Sequence, residues 1–331
     1  MDQDMFDWLA ARLGTPVTGA ERFGTGQSNP TWRLETGQGA MVLRAKPPGK
    51  LLPKAHAIER EFRVLAALME TGVPAPVPIL LEEGDNPLGR PFYVMEYLDG
   101  RIFWDPALPD LEERGAIYEE MGRMLADLHG LDPFGIGLGD YGRAEGYFAR
   151  QAEIWSRQYA ASVETPAKGM TRLGAWLRAQ DPPEAEPALV HGDWRLDNLI
   201  FHPTQPHIIG ILDWELSTLG HPLADVAYQI MQWNLPHDSP LKGLGGVGRA
   251  ALGLPSDEAH LEVYARRRGI EVPDLRPWLA LAAFRLAAIL AGVGARAEAG
   301  NASNPEAGRA YGAMVPEVVS LGLRWVDGSR G

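Results

Sequence analysis

The stretch LVHGDWRLDNLIF, residues 189–201, decides how the rest of the chain is read. Leu189 and Val190 at one end and Leu199 to Phe201 at the other bracket a core that holds His191, Asp193, Arg195, Asp197 and Asn198. ALVHG at 188–192 is too brief for a helix and reads as a buried strand. So many ionisable groups between two apolar runs are more than a solvated connection needs.

The histidine, the aspartate two residues on and the asparagine five beyond that have the H-x-D-x4-N spacing of phosphoryl-transfer catalytic loops. Such chemistry needs a carboxylate facing the attacking hydroxyl, with an amide oxygen on the far side of a tight loop for a magnesium ion. Four intervening residues let the chain turn between Asp193 and Asn198. Asp213, in IIGILDWE, follows Asn198 by fifteen residues, room for one hairpin, and offers a second hard oxygen to the same metal. ALVHG and IIGILDWE are expected to form a strand pair presenting these carboxylates. A bland loop with a capped turn accounts for such a trio by chance; the order of parts upstream argues against it.

That order begins with a glycine-rich turn, GTGQSN at 24–29, amid alternating apolar and polar residues joined by a second turn, TGQG. A strand with cations follows, MVLRAK, and then AHAIEREFRVLAALMETG, with Ile58, Phe62, Leu65 and Leu68 at helical spacing and a stop at Gly72. RPFYVMEYL supplies another strand, so residues 1–98 are expected to be a small sheet with one helix. Residues 99–331 are read as mainly helical, with helices over 114–131 and 145–162 and more from 257 onward. LPHDSPLKGLGGVG at 235–248 reads as a loop long enough to be a lid, and no internal repeat is visible.

Composition bounds the partners. The chain has 331 residues, 45% hydrophobic and 22% charged, enough for two structural units with ordinary cores. Its 31 basic against 43 acidic side chains give a net charge of -12, which repels a phosphate backbone and argues against nucleic acid. Without cysteine there is no disulfide, thiolate metal site or thiol nucleophile, in keeping with a reducing cytoplasm. MDQDMFDWLAARLG is acidic and amphipathic, unlike a secretion signal. PWLALAAFRLAAILAGVGA at 277–295 is interrupted by Arg285 and reads as a buried helix rather than a membrane span. Arg285 itself must be paired or face a cavity, meeting either an anionic substrate or an internal carboxylate.

LVHGDWRLDNLIF, ILDWELSTLGHPLADVAY and the nucleotide half together resemble the aminoglycoside phosphotransferase-like branch of the protein-kinase-like superfamily, over nearly the whole chain. VLRAKPPGKLLPKAHAIEREFRVL and DWELSTLGHPLADVAY look, more narrowly, like the phosphotransferase domain fused ahead of acyl-CoA dehydrogenase domains in larger proteins. The resemblance implies an α+β, bilobal kinase-like fold, with a sheet-rich nucleotide lobe at 1–98 and a helical lobe at 99–331. It implies ATP and magnesium as cofactors and a small-molecule hydroxyl as acceptor, pointing toward a hydroxyacyl compound. Asp193 would be the catalytic base, Arg195 a cation on the transferring phosphate, Asn198 and Asp213 the magnesium ligands, and His191 a support for the loop. Asp225 resembles a brace for the catalytic loop.

On the nucleotide side, the resemblance places Gly24, Gly26, Gln27 and Ser28 at the phosphates and pairs Glu61 with the lobe's cation, which is Arg44 or, two residues on along the same strand face, Lys46. Asn29 stands in place of a third glycine, and Glu215 in place of the glycine of the Asp-Phe-Gly run. Met95, Glu96 and Leu98 would meet adenine at the hinge, Glu96 and Leu98 through main-chain atoms. His221 stands where relatives commonly carry aspartate, and His129 is expected to be a satisfied interior histidine. Of Trp194, Trp214 and Trp233, one is expected to border the acceptor pocket. The short interval between Asp213 and Asp225 leaves no room for the segment that docks polypeptide substrates. Two other readings are a pseudokinase-like regulatory module and an aminoglycoside-type antibiotic kinase.

Overall fold

In a computed structural model, which describes residues 1–24, 29–48, 57–271, 274–301 and 304–328, the elements run in chain order as follows. The first part holds α1 (Gln3–Leu13), β1 (Val17–Arg22), β2 (Thr31–Thr36), β3 (Gly39–Ala45), α2 (Ile58–Leu68), β4 (Pro78–Glu82) and β5 (Phe92–Glu96). The middle holds α3 (Arg114–His129), α4 (Tyr147–Ser162), α5 (Lys168–Arg178), β6 (Ala188–Val190), β7 (Leu199–Phe201), β8 (Ile208–Ile211) and β9 (Thr218–Gly220). Then follow α6 (Leu223–Trp233), α7 (Asp257–Arg268), α8 (Arg276–Glu298), α9 (Pro305–Ala313) and α10 (Val315–Val326). The chain divides into two compact units, one of residues 1–102, 136–138 and 197–217, the other of 103–135, 139–196 and 218–331. The segment carrying Asn198 and Asp213 thus groups with the N-terminal sheet.

The first unit is built on an antiparallel sheet in the order β1-β2-β3-β5-β4. Alternation along β2 and β3 puts Leu34 and Leu43 on the inner face with Val17, Ala45, Phe92 and Val94. Sequence alone anticipates one helix here; the structure adds α1, whose Met5 and Leu9 close this core and whose Trp8 meets Phe92 edge to face at 5.8 Å. Asp2 starts α1 by accepting the Met5 amide at 3.1 Å, and Gly14, at φ 66°, ends it. Burying a leucine such as Leu9 contributes about 2 kcal/mol. α2 buries Ile58, Glu61, Val64, Leu65 and Leu68, one helical stripe on which Glu61 is the single acid. An acid on such a stripe requires partners.

The second unit is helical around α8, which packs against α4, α5, α6, α9 and α10. α8 is long and apolar enough to cross a membrane by composition, yet 72% of its apolar window is buried inside the protein, as a core helix requires. ALVHG and IIGILDWE do not pair with each other: β6 pairs with β9, while β8 pairs with β7, each antiparallel. The strands missed are three residues long and leave no periodic signal. Residues 235–248 also differ from the expected lid. Leu244 N donates to Trp233 O at 2.7 Å, Gly245 N to Leu235 O at 2.8 Å and Gly243 N to Pro236 O at 3.1 Å, so the loop is stitched down. A Cβ on Gly243 would stand 2.0 Å from Leu235 O, a space only glycine fits.

Candidate active site

In the first unit the β7–β8 hairpin sets the metal-type donors side by side. Leu199 pairs with Ile211, and Leu212 N donates to Asn198 O at 2.9 Å, leaving Asn198 opposite the residue just before Asp213. Asp213 is left-handed, φ 64° and ψ 60°, a conformation a non-glycine residue holds only where its surroundings enforce it. Its carboxylate accepts Arg44 Nη2 at 2.5 Å. Arg44, on β3 between Thr31 and Tyr93, also places Nε 2.9 Å from Glu61 Oε2.

Glu61 is 1% exposed and fully engaged: it takes Tyr93 Oη at 3.1 Å on one oxygen and Asn29 Nδ2 at 2.9 Å on the other. Asn29 Nδ2 also reaches Glu215 Oε2 at 3.2 Å, so the two positions that depart from the kinase glycines hold each other. Burial pushes the Glu61 carboxyl up to about 7, against the pull of Arg44. Burial works the other way on Arg44, but Glu61 and then Asp213 outweigh it and raise its pKa, keeping the guanidinium charged. Lys46 is elsewhere, its Nζ 2.9 Å from Glu59 Oε2. Of the two candidate cations, Arg44 therefore makes the pair with Glu61.

Gly24 lies in a bend after β1, while Gly26, Gln27 and Ser28 fall outside the described residues. At the end of β5, Met95 is 8% exposed, and the Glu96 amide is taken by Val77 O at 2.9 Å. Asn198 and Asp213 supply hard oxygens of the type that fit magnesium.

In the second unit, the loop between β6 and Leu196 is held from inside. Asp225, 1% exposed on α6, accepts His191 N at 2.7 Å and Gly192 N at 2.8 Å. His129 Nε2 lies 3.2 Å from the same carboxylate, and its Nδ1 is 2.9 Å from Tyr264 Oη. Burial alone would raise Asp225, but the hydrogen bonds from His129 and from the Gly192 amide lower it overall. Burial lowers His129, so its ring is neutral, Nε2–H donating to Asp225 and Nδ1 accepting from Tyr264. The expected loop brace and interior histidine are both in place.

Gly192 takes φ 84°, and Asp193 N donates to His191 Nδ1 at 3.2 Å, turning Asp193 outward from the buried histidine. The Asp193 carboxylate lies near the Tyr228 hydroxyl, whose pKa burial and then this neighbouring charge raise, and 3.5 Å from Arg195 Nε. Trp194, Trp214 and Trp233 are 0%, 1% and 5% exposed, all packed inside. Trp155 and Trp278 line a pocket of the helical unit. No motif marked those two, because helical periodicity alone assigns them to core. His221 stacks on Trp278 at 4.1 Å, and burial holds it near 4, neutral and structural.

Residues 19–270 match the phosphotransferase enzyme family. The chain is 43% identical over 309 residues to mouse acyl-CoA dehydrogenase family member 10, covering 91% of this chain and 29% of the relative. It is 43% identical over 326 residues to an Arabidopsis thaliana probable acyl-CoA dehydrogenase, covering 92% of this chain and 39% of the relative. It therefore spans well under half the length of these curated relatives. A crystal structure assigned as an aminoglycoside phosphotransferase from Ralstonia eutropha superposes with a TM-score of 0.87, 39% identity and 99% coverage of both chains. A spectinomycin phosphotransferase solved with ADP and spectinomycin shares the fold at a TM-score of 0.65, 13% identity and 98% coverage of both. By family match and by fold, the chain belongs to the phosphotransferase enzyme family, with the kinase-like α+β architecture of the aminoglycoside phosphotransferases.

Proposed function

We propose that the chain transfers the γ-phosphoryl group of ATP, with magnesium, to a hydroxyl of a small molecule. The observation that carries this reading is Arg44, fixed on a strand by the buried Glu61 and bonded to the left-handed Asp213. Such a clamped cation suits a triphosphate, because positioning and charge supply most of the catalysis in phosphoryl transfer. Arg44 would offer its guanidinium to phosphate oxygens, and Glu61, tied by Tyr93 and Asn29, keeps it from swinging away.

Asn198 and Asp213 would hold the magnesium, which when bound offsets charge on the phosphate oxygens. Asp193 orients the acceptor hydroxyl and accepts its proton as the new O–P bond forms and the bond to ADP breaks. Tyr228 stands beside the Asp193 carboxylate, and Arg195 steadies the transferring group. The Glu96 carbonyl and Leu98 amide read adenine, with Met95 lining the pocket behind it. The likeness to parts of proteins named acyl-CoA dehydrogenases supports a hydroxyacyl acceptor, and the lack of cysteine suits work in a reducing cytoplasm.

A second reading, a nucleotide-binding regulatory module, is favoured by the same Arg44–Asp213 bond, which already meets the charge of a metal ligand. ADP release over a panel of hydroxylated acceptors, beside a thermal shift with ATP and magnesium, separates the two. Stabilisation without release on every acceptor would leave the module.

A further inference from the structure

Arg285 lies midway along α8 and lines a small pocket, partly open to solvent, with Tyr147, Gln151, Trp155, Tyr228 and Trp278. Its guanidinium carbon is 5.5 Å from the Trp155 ring centre and 5.0 Å from that of Tyr228. Nη2 donates to Gly192 O at 2.6 Å, while Nε is buried without a hydrogen-bond partner. Of the two options open from the sequence, the internal carboxylate falls: among the described residues no Asp or Glu stands within ion-pair distance of Arg285.

Two aromatic faces offset only part of the cost of holding a cation there, so this wall is electrostatically incomplete. The cavity also adjoins the catalytic loop twice. Tyr228 lines it close to Asp193, and Arg285 lines it and holds the carbonyl of Gly192.

We propose that this cavity is the acceptor subsite and that Arg285 selects acceptors bearing a carboxylate, with Trp155, Tyr228 and Trp278 covering the carbon chain between that carboxylate and the hydroxyl. The inference rests on the phosphotransfer reading above and gives its acceptor a charge. A guanidinium with unused donors matches a carboxylate's two oxygens. The same cation repels polyamines, which disfavours an aminoglycoside in this cavity.

The test is calorimetric titration of the full chain, with ADP present, using 3-hydroxyhexanoate, the diol and the amino alcohol of the same chain length. The carboxylate should bind tightest and the amine weakest. Arg285→Gln should weaken the carboxylate about tenfold or more, the scale of a lost charged hydrogen bond, while the diol changes little. Arg285→Lys should keep part of the preference. Equal affinity for the three probes, no binding by any, or equal loss on all three in Arg285→Gln would overturn the proposal, the last leaving Arg285 a brace for Gly192. If Arg285→Gln does not fold, the wild-type order and Arg285→Lys decide. Parallel ADP release from ATP keeps failure of phosphotransfer distinct, since carboxylate preference in binding needs no turnover.

Discussion

Arg44 and Asp213, 169 positions apart, share a hydrogen bond of 2.5 Å. One sits on a regular strand and the other in a left-handed turn, so the bond ties the strained residue to the sheet. On its other edge Arg44 meets Glu61, and removing it would leave a carboxylate that is 1% exposed without its cation.

Arg44→Met is therefore expected to lower unfolding free energy by about 3–5 kcal/mol at pH 8, the cost of breaking a buried pair from one side. Glu61 already titrates near 7, above its usual range, so the unpaired acid escapes the penalty by protonating. Its cost is present above the folded pKa and fades as pH falls toward the unfolded value. Urea midpoints at pH 8 and pH 5.5 should show the deficit shrinking in acid.

Asp193→Asn should cut turnover by about 100-fold or more, the scale of losing a general base, while ATP binding stays nearly intact. Single-turnover kinetics and nucleotide titration measure the two effects separately. Unchanged turnover would remove Asp193 from its role.

Asp225→Asn replaces an acceptor of three N–H groups by an amide that turns a donor toward them. A loss of about 3 kcal/mol in stability is expected, since a buried donor is left unmet. Hydrogen exchange should quicken first at the His191 and Gly192 amides.

His260, 2% exposed beside Gln229, is held near 4 by burial against an ordinary 6.5. Below 6.5 the unfolded chain takes a proton that the folded chain refuses. The ring thus contributes stability that is full above 6.5 and lost as pH falls to about 4, on the order of 3 kcal/mol. His260→Gln should flatten the stability profile across that window.

Gly243→Ala places a methyl against the carbonyl oxygens of Leu235 and Gln232, both backbone. The stitched loop must shift, costing about 1–3 kcal/mol, the range for overpacking, and Tm should fall by several degrees.

Residue spacing and periodicity alone determined the sheet-then-helix order and the helices over Arg114–His129 and Tyr147–Ser162, because each is encoded within a short window of chain. The Asn198-to-Asp213 hairpin was legible for the same reason. Tertiary structure alone decided that β6 takes β9 and β8 takes β7, since three-residue strands carry no period and choose partners by packing. It alone separated Arg44 from Lys46: both lie within reach of a glutamate in sequence, and only the fold buries Glu61 fully and leaves Glu59 partly exposed. Likewise, Arg285 reads from sequence as a charge in an apolar helix, and what faces it is settled by helices distant in the chain, because a long-range contact leaves no local trace.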